Sequence, residues 1–258
     1  MNVEEWHKGL WQTFAKRAPV ISTLKYALND LQNNDHVAFR CLGVYPFDLN
    51  RLETGILNLG YYALEDYYFE EKQLRARSYI HPTYKELKRV FLSEPIIESF
   101  SDDTVAIASV LAQKVPRTHC ESPSIFFNPR PWRESVSFEE YEEVASESEY
   151  ISWVLVNGAI PNHFTLSVPE NVAMESVLQR VEDLRIKVNE SGGRVKNAGG
   201  NLEQGSTMAD GLNVVLKDPH TIYTIPTCFY EFAKRRHGFD GFIEANANKI
   251  FESTNRPV

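Results

Sequence analysis

Three side chains carry the chemistry that this sequence offers: His36, His163 and Glu231. Each histidine opens a short strand-like run, Asp35-His36-Val37-Ala38-Phe39-Arg40 and Asn162-His163-Phe164-Thr165-Leu166-Ser167. In both runs the histidine falls on the more polar of two alternating faces. A lone histidine of this kind reads as a hydrogen-bonded strand end. Two of them, offered from the same place in two copies of one supersecondary unit, point to a metal held between two halves of one sheet. Glu231 lies in Thr227-Cys228-Phe229-Tyr230-Glu231-Phe232-Ala233, where a carboxylate among aromatic rings is costly without a partner. That partner is either an ion pair with Lys234 or Arg235, or a metal. Two neutral imidazoles and one carboxylate form the facial triad of non-haem Fe(II) sites, with positions left open for substrate and dioxygen. Manganese or zinc also suits this donor set.

Arg40 shares the His36 face four residues further on, about 13 Å away between Cα atoms at about 3.3 Å per residue. Such a gap suits a small dicarboxylic acid, one end on the metal and the other in a bidentate pair with the guanidinium. The plainer reading is a structural arginine. Glu94 ends the first-unit strand taken to mirror the one carrying Glu231. It reads as a fourth ligand, as an acceptor behind a ligand histidine, or as an exposed strand-end charge, and it is left outside the triad. Asn33, Asn34 and Asp35 read as a turn. Ser206, Thr207 and Met208 read as pocket lining or as a plain polar strand. His7, His119 and His237 show no partner pattern, and His81 and His220 sit beside prolines in turns. The Gly192-Gly193 and Gly199-Gly200 pairs lack the strand-to-helix context of a phosphate or dinucleotide loop, and no nucleophile elbow is present.

The elements that must position these residues follow a repeated order. Residues 4–32 form an expected packing helix, with Trp6, Leu10 and Phe14 on one face and Ile21, Leu24 and Leu28 continuing it. Module one, 35–95, reads β-α-β-β-β: a strand at 36–42, a helix capped by Asp48 and stopped by Gly60, then strands at 61–69, 72–80 and 89–94. An insert at 95–160 holds Pro123, Pro129, Pro131 and an acidic helical stretch from Phe138 to Val154, a lid or a packing layer. Module two, 161–234, repeats the order. It has a strand at 162–168 and a helix through Val177, Val181, Leu184 and Val188. A segment at Ser206–Ala209 then meets Leu212–Leu216 through an Asp210-Gly211 hairpin, and a last strand runs over 222–233. A final helix is expected at 242–252. The chain, 1–258, reads as one α+β catalytic domain.

Bulk properties restrict the setting. The chain has 258 residues, 43% of them hydrophobic, and a net charge of -8, without a Lys/Arg run. Nucleic acid and anionic membrane are therefore poor partners. Three widely spaced cysteines, Cys41, Cys120 and Cys228, make no disulfide framework and suit a reducing cytoplasm. No apolar run approaches the roughly 18 residues needed to span a bilayer. Glu4, Glu5 and Trp6 stand where a signal peptide needs a basic and then an apolar region.

At the motif residues the chain resembles a known family. Asp-His-Val-Ala-Phe-Arg at 35–40, Arg-Val-Phe-Leu-Ser-Glu at 89–94, Asn-His-Phe-Thr at 162–165 and Tyr-Glu-Phe-Ala-Lys-Arg at 230–235 look like the 2-oxoadipate dioxygenase/decarboxylase family, also called hydroxyglutarate synthase. The resemblance spans about 33–253 and is to a compact branch, shorter than the bacterial members. It implies a vicinal-oxygen-chelate fold, a half-open barrel of paired β-α-β-β-β modules. It also implies Fe(2+) on His36, His163 and Glu231, and Arg40 as the substrate-binding arginine. The implied reaction takes 2-oxoadipate and dioxygen to 2-hydroxyglutarate and carbon dioxide, a step of lysine breakdown. Two other expectations stay open: a glyoxalase-like isomerase, lyase or hydrolase using the same ligands, and a non-catalytic binder of small acids.

Overall fold

The computed structural model describes residues 1–31, 33–132 and 136–255. Its N-terminal stretch is two helices where one was expected, α1 (Val3–Arg17) and α2 (Val20–Ala27). Pro19 has no N–H to donate and keeps Ala18 out of helical backbone, at φ −130°, ψ 77°. α1 buries Trp6, Leu10 and Phe14 as its periodicity predicts. Leu24 and Leu28 are also buried, while the Ile21 side chain and Gln32 lie outside the described residues.

Module one forms in the expected order: β1 (Asn34–Arg40), α3 (Leu49–Leu57), β2 (Tyr62–Phe69), β3 (Leu74–Ile80) and β4 (Arg89–Pro95). Asp48 caps α3 by accepting from Arg51 N at 3.0 Å, and Gly60 at φ +95° turns the chain into β2. The insert is helical: α4 (Asp102–Ala112), α5 (Arg117–Cys120), α6 (Phe138–Glu147) and α7 (Glu149–Asn157). The acidic stretch is broken at Ser148, whose extended backbone and hydroxyl cap α7. Every residue of α7 from Tyr150 to Asn157 is buried, so this part of the insert is a packing layer.

Module two begins with β5 (His163–Ser167) and α8 (Met174–Asp183), and then comes β6 (Leu202–Ser206). α8 stops short of the expected Leu184 and Val188; Arg185 takes a left-handed φ of +62°. Val188 instead bridges to Thr207, and Lys196 to Gln204, so an irregular segment stands where module one has β2. β7 (Gly211–Val215) and β8 (Ile222–Pro226) pair with each other as a ribbon outside the main sheet, and β9 (Phe229–Arg235) returns to it. The expected Asp210-Gly211 hairpin does not form. Asp210 N donates to Cys228 O and Asp210 O accepts from Thr227 N, which makes this pair the entrance of the ribbon. Asp218 makes the turn, accepting from His220 N and Thr221 Oγ1. The expected strand 222–233 is accordingly broken at Thr227-Cys228. The chain ends in α9 (Glu244–Ile250) and a 3-10 turn over Phe251–Thr254.

The main sheet has seven strands in the order β2-β3-β4-β1-β5-β9-β6. β1 runs parallel to β4, β5 runs parallel to β9, and the two modules join where β1 and β5 pair antiparallel. This is the half-open barrel that the paired modules were expected to make. One face packs on the N-terminal helices, with Trp6 on Phe39 at 5.8 Å, Phe14 on Phe164 at 5.0 Å and Trp11 near Tyr230 at 6.4 Å. The opposite face holds the histidines. Among the described residues, no helix is long and apolar enough to cross a membrane.

Candidate metal centre

The central β1–β5 pair brings the two histidines together. Ala38 stands opposite His163 and His36 opposite Thr165, so both imidazoles leave one face of the sheet one register step apart. β9 lies beside β5 with Glu231 opposite Thr165, which brings the carboxylate to the level of His36. The His36 and His163 Nε2 atoms are 3.4 Å apart. Glu231 Oε2 is 3.0 Å from His163 Nε2 and 3.8 Å from His36 Nε2. All three side chains are buried, and each offers a ligand atom within 4.8 Å of the others. The ion pair of Glu231 with Lys234 or Arg235 does not form. Lys234 pairs with Glu203 and Arg235 with Asp35.

The protons at this site show what it needs. His36 Nδ1 donates to Asp35 Oδ1 at 2.7 Å, and His163 Nδ1 donates to Asn162 Oδ1 at 3.0 Å. Both Nε2 atoms therefore present lone pairs. Gln204 Nε2 donates to Glu231 Oε1 at 2.7 Å, whereas Oε2 makes no hydrogen bond. Among the described residues the Thr165 hydroxyl, 3.1 Å from His36 Nε2, is the one donor beside these atoms. Lone pairs converging in a buried space repel unless a cation lies between them, so the donor set fits a divalent metal. Burial would raise the Glu231 carboxyl, but the positive charge that the two imidazoles carry when protonated, together with Gln204, more than offsets it and holds it below its ordinary value. Burial lowers His163, with Glu231 partly opposing. Both shifts favour the metal-binding protonation states.

The register corrects the place given to Glu94. In module one Ala38 pairs with Phe91, as Thr165 pairs with Glu231 in module two. The counterpart of Glu231 is therefore Phe91. Glu94 lies three residues further along and on the other side of β4, and it is buried. It accepts from Leu49 N at 2.7 Å at the start of α3 and from Arg75 Nε at 2.6 Å. It is neither a ligand, nor behind a histidine, nor exposed. Asp35, read as part of a turn, is the more important omission. β1 bulges between Asn34 and His36, and the Asp35 carboxylate at the bulge reaches the neighbouring imidazole. Ser206 and Thr207 spend their hydroxyls on Ser253 Oγ at 2.8 Å and Tyr230 N at 3.1 Å.

Arg40 lies where alternation predicts, on the His36 face, and is 2% exposed. Its NH1 donates to Thr254 Oγ1 at 3.1 Å and its Nε has no partner. The guanidinium is held over the rings of Tyr150 at 4.8 Å and Trp153 at 5.1 Å. Among the described residues no carboxylate pairs with it, and a buried, unpaired cation is costly. It opens on a cavity of about 270 Å³ that Lys72, Tyr150, Phe251 and Thr254 also line. A separate space of about 20 Å³ lies over the triad, roofed by Phe242, Ala247, Ile250 and Phe251. Phe251 borders both spaces, and sequence periodicity carries no signal that a C-terminal turn would roof the site.

Comparison with known proteins follows the same geometry. A family model described as 2-oxoadipate dioxygenase/decarboxylase matches residues 12–119 and 124–238. The chain is 32% identical over 252 residues to the chloroplastic 2-oxoadipate dioxygenase/decarboxylase of Arabidopsis thaliana, covering 85% of this chain and 67% of that protein. The structure of hydroxyglutarate synthase from Oryza sativa in complex with 2-oxoadipate superposes with a TM-score of 0.88 at 26% identity, covering 97% of this chain and 91% of that one. A Shewanella frigidimarina protein provisionally called a hydrolase superposes with a TM-score of 0.85 at 32% identity, covering 94% and 98%.

Proposed function

The chain belongs to the 2-oxoadipate dioxygenase/decarboxylase family, and from that footing we propose that it converts 2-oxoadipate and dioxygen to 2-hydroxyglutarate and carbon dioxide. His36, His163 and Glu231 hold Fe(2+), and residues 1–258 act as one catalytic unit because both modules supply ligands. The observation that carries the reading is a buried set of converging lone pairs and, on the same face of β1, a buried guanidinium with no carboxylate of its own. A 2-oxo dicarboxylic acid meets both needs at once.

Iron supplies the chelation of the 2-oxo acid and the activation of dioxygen; the protein supplies placement. Arg40 takes the far carboxylate in the place where Thr254 Oγ1 now accepts its NH1. Ala38 is the small residue between His36 and Arg40 on the same face of β1. Phe91, Phe242 and Phe251 exclude water from the reacting end. Gln204 steadies the Glu231 oxygen that faces away from the imidazoles. The equation closes without an external reductant. Oxidative decarboxylation and hydroxylation each remove two electrons from the carbon skeleton, and together they reduce one dioxygen.

The setting that goes with this reading is lysine breakdown, and three buried free thiols suit a reducing compartment such as the cytosol. The deciding experiment is oxygen uptake by the Fe(II)-loaded protein with 2-oxoadipate, following carbon dioxide and 2-hydroxyglutarate. Uptake and both products in equal amounts support the proposal. Uptake unchanged in His163→Ala would sink it, and turnover without dioxygen would transfer the same ligands to an isomerase or hydrolase.

A further inference from the structure

We propose that Asp35 is a positioning residue for His36 and that Arg235 ties it to the segment roofing the cavity, so that the two histidines are held unequally. This inference rests on the metal site proposed above. Asp35 is 3% exposed, and its carboxylate is fully engaged. Oδ1 accepts from His36 Nδ1 at 2.7 Å. Arg235 grips both oxygens, Nε to Oδ2 at 2.8 Å and NH2 to Oδ1 at 2.9 Å. Arg89 NH1 approaches Oδ2 at 3.4 Å. A carboxylate clamped in this way fixes the ring orientation and the Nδ1–H tautomer of His36, and makes its Nε2 a better donor to a metal.

The second module builds the same place without charge. Asn162 precedes His163 as Asp35 precedes His36. The strand partner of His36 is Arg89, whereas that of His163 is Phe229. Phe229 stacks on the His163 ring at 4.5 Å. One histidine thus leans on an ion-paired carboxylate and the other on a neutral amide and an aromatic ring. A purely structural ion pair would not need to meet a histidine at its second nitrogen.

Arg235 has a second task. Its NH1 donates to the carbonyls of Phe239 at 3.3 Å and Gly241 at 2.5 Å, and its guanidinium lies 5.1 Å from the Phe242 ring. Phe242 in turn meets His36 edge-on at 4.8 Å. Asp240, between these carbonyls, is held by Arg89 and by Lys88 Nζ at 2.8 Å. The arginines that fix Asp35 therefore also fix the start of the roof.

The test is metal affinity, measured by chelator competition with Mn(II) or Fe(II) on the full chain, for wild type, Asp35→Asn and Asn162→Ala. Asp35→Asn keeps an acceptor for His36 but loses the charge, and is expected to weaken binding roughly 10- to 100-fold; Asn162→Ala should lose several-fold less. Asp35→Asn takes the shared carboxylate charge from Arg235 and Arg89, of which Arg89 keeps Asp240, so Asp35→Asn with Arg235→Gln removes both charges of the clamp and keeps the fold testable by circular dichroism. Hydrogen exchange in Arg235→Gln should show faster exchange across 239–254. Wild-type affinity in Asp35→Asn or in the double variant, an equal loss in Asn162→Ala, or unchanged exchange across 239–254 each overturns the inference. A wild-type protein that binds no divalent metal overturns the metal site itself, a distinct result.

Discussion

On the function proposed, Arg40 is the residue on which substrate choice turns. Replacing a bidentate, ring-stacked guanidinium with the point charge of lysine is not conservative. Loss of a charge-assisted pair worth about 1.5–3 kcal/mol should raise KM for a dicarboxylic oxo acid roughly 10- to 100-fold in Arg40→Lys. Metal affinity should stay near wild type, a split that steady-state kinetics and chelator competition resolve. Burial pulls the guanidinium down to about 10, so it stays charged across neutral pH, and a carboxylate bound to it raises it again. His163 gives the opposite handle on the apoprotein. Burial holds its imidazole below its ordinary value, so below about pH 6.5 the unfolded chain binds more protons than the folded one. This stability is complete above about pH 6.5 and is lost as pH falls through the depressed folded value. Urea midpoints between pH 5 and 8 should show the slope, and His163→Gln should flatten it. The triad and Arg40 were legible in the sequence because residue type and strand alternation suffice for them. Asp35 was not, since a one-residue bulge is invisible to alternation. Gln204 was passed over because an amide on a strand has no distinctive spacing.

At the scale of elements, the order of helices and strands was readable wherever a cap or a glycine marks an end, as at Asp48 and Gly60. It failed where tertiary partners outweigh a local turn signal. Asp210-Gly211 has the composition of a hairpin, yet the backbone of Thr227 and Cys228 claims it. Pro19 splits a helix that hydrophobic periodicity alone had run together. Glu94 shows how register decides a role. Pseudo-symmetry in sequence order put it opposite Glu231, but the strand pairing gives that place to Phe91 and leaves Glu94 at the head of α3. Burial raises its carboxyl above the ordinary value despite Leu49 N and Arg75, and its oxygens accept from both. Glu94→Ala leaves the Leu49 N–H and the Arg75 guanidinium without their partner and should cost about 1–3 kcal/mol in urea denaturation. Glu94→Gln should cost less, because an amide oxygen still accepts from Leu49 N. Neither should change metal affinity by more than a few-fold; a loss as large as that of a ligand variant would return Glu94 to the metal site.

For the whole molecule, two modules build the floor of the site and the C-terminal segment builds its roof. The space over the triad, about 20 Å³, holds about one water, and Phe251 stands between it and the Arg40 cavity. A six-carbon diacid reaching from the metal to Arg40 must cross the place that Phe251 occupies and displace Thr254 from the guanidinium. On the function proposed, turnover therefore requires the Phe251–Thr254 turn to move. Ser206 on β6 and Ser253 in that turn face each other with Oγ atoms 2.8 Å apart, both fully buried, which makes them the pair to exchange for cysteines. The Ser206→Cys/Ser253→Cys variant, loaded with metal before oxidation, should lose at least about tenfold in kcat/KM when oxidised, more than about 1.4 kcal/mol of access, and regain it on reduction. The native thiols Cys41, Cys120 and Cys228 are buried and free, so oxidation should act through the new pair, which mass spectrometry of the digested protein would verify. Metal retained in the oxidised form would show that the lock closes the route to substrate without dismantling the site. Full turnover in the oxidised form would show that the acid enters beside the turn, with Phe251 serving only as a wall.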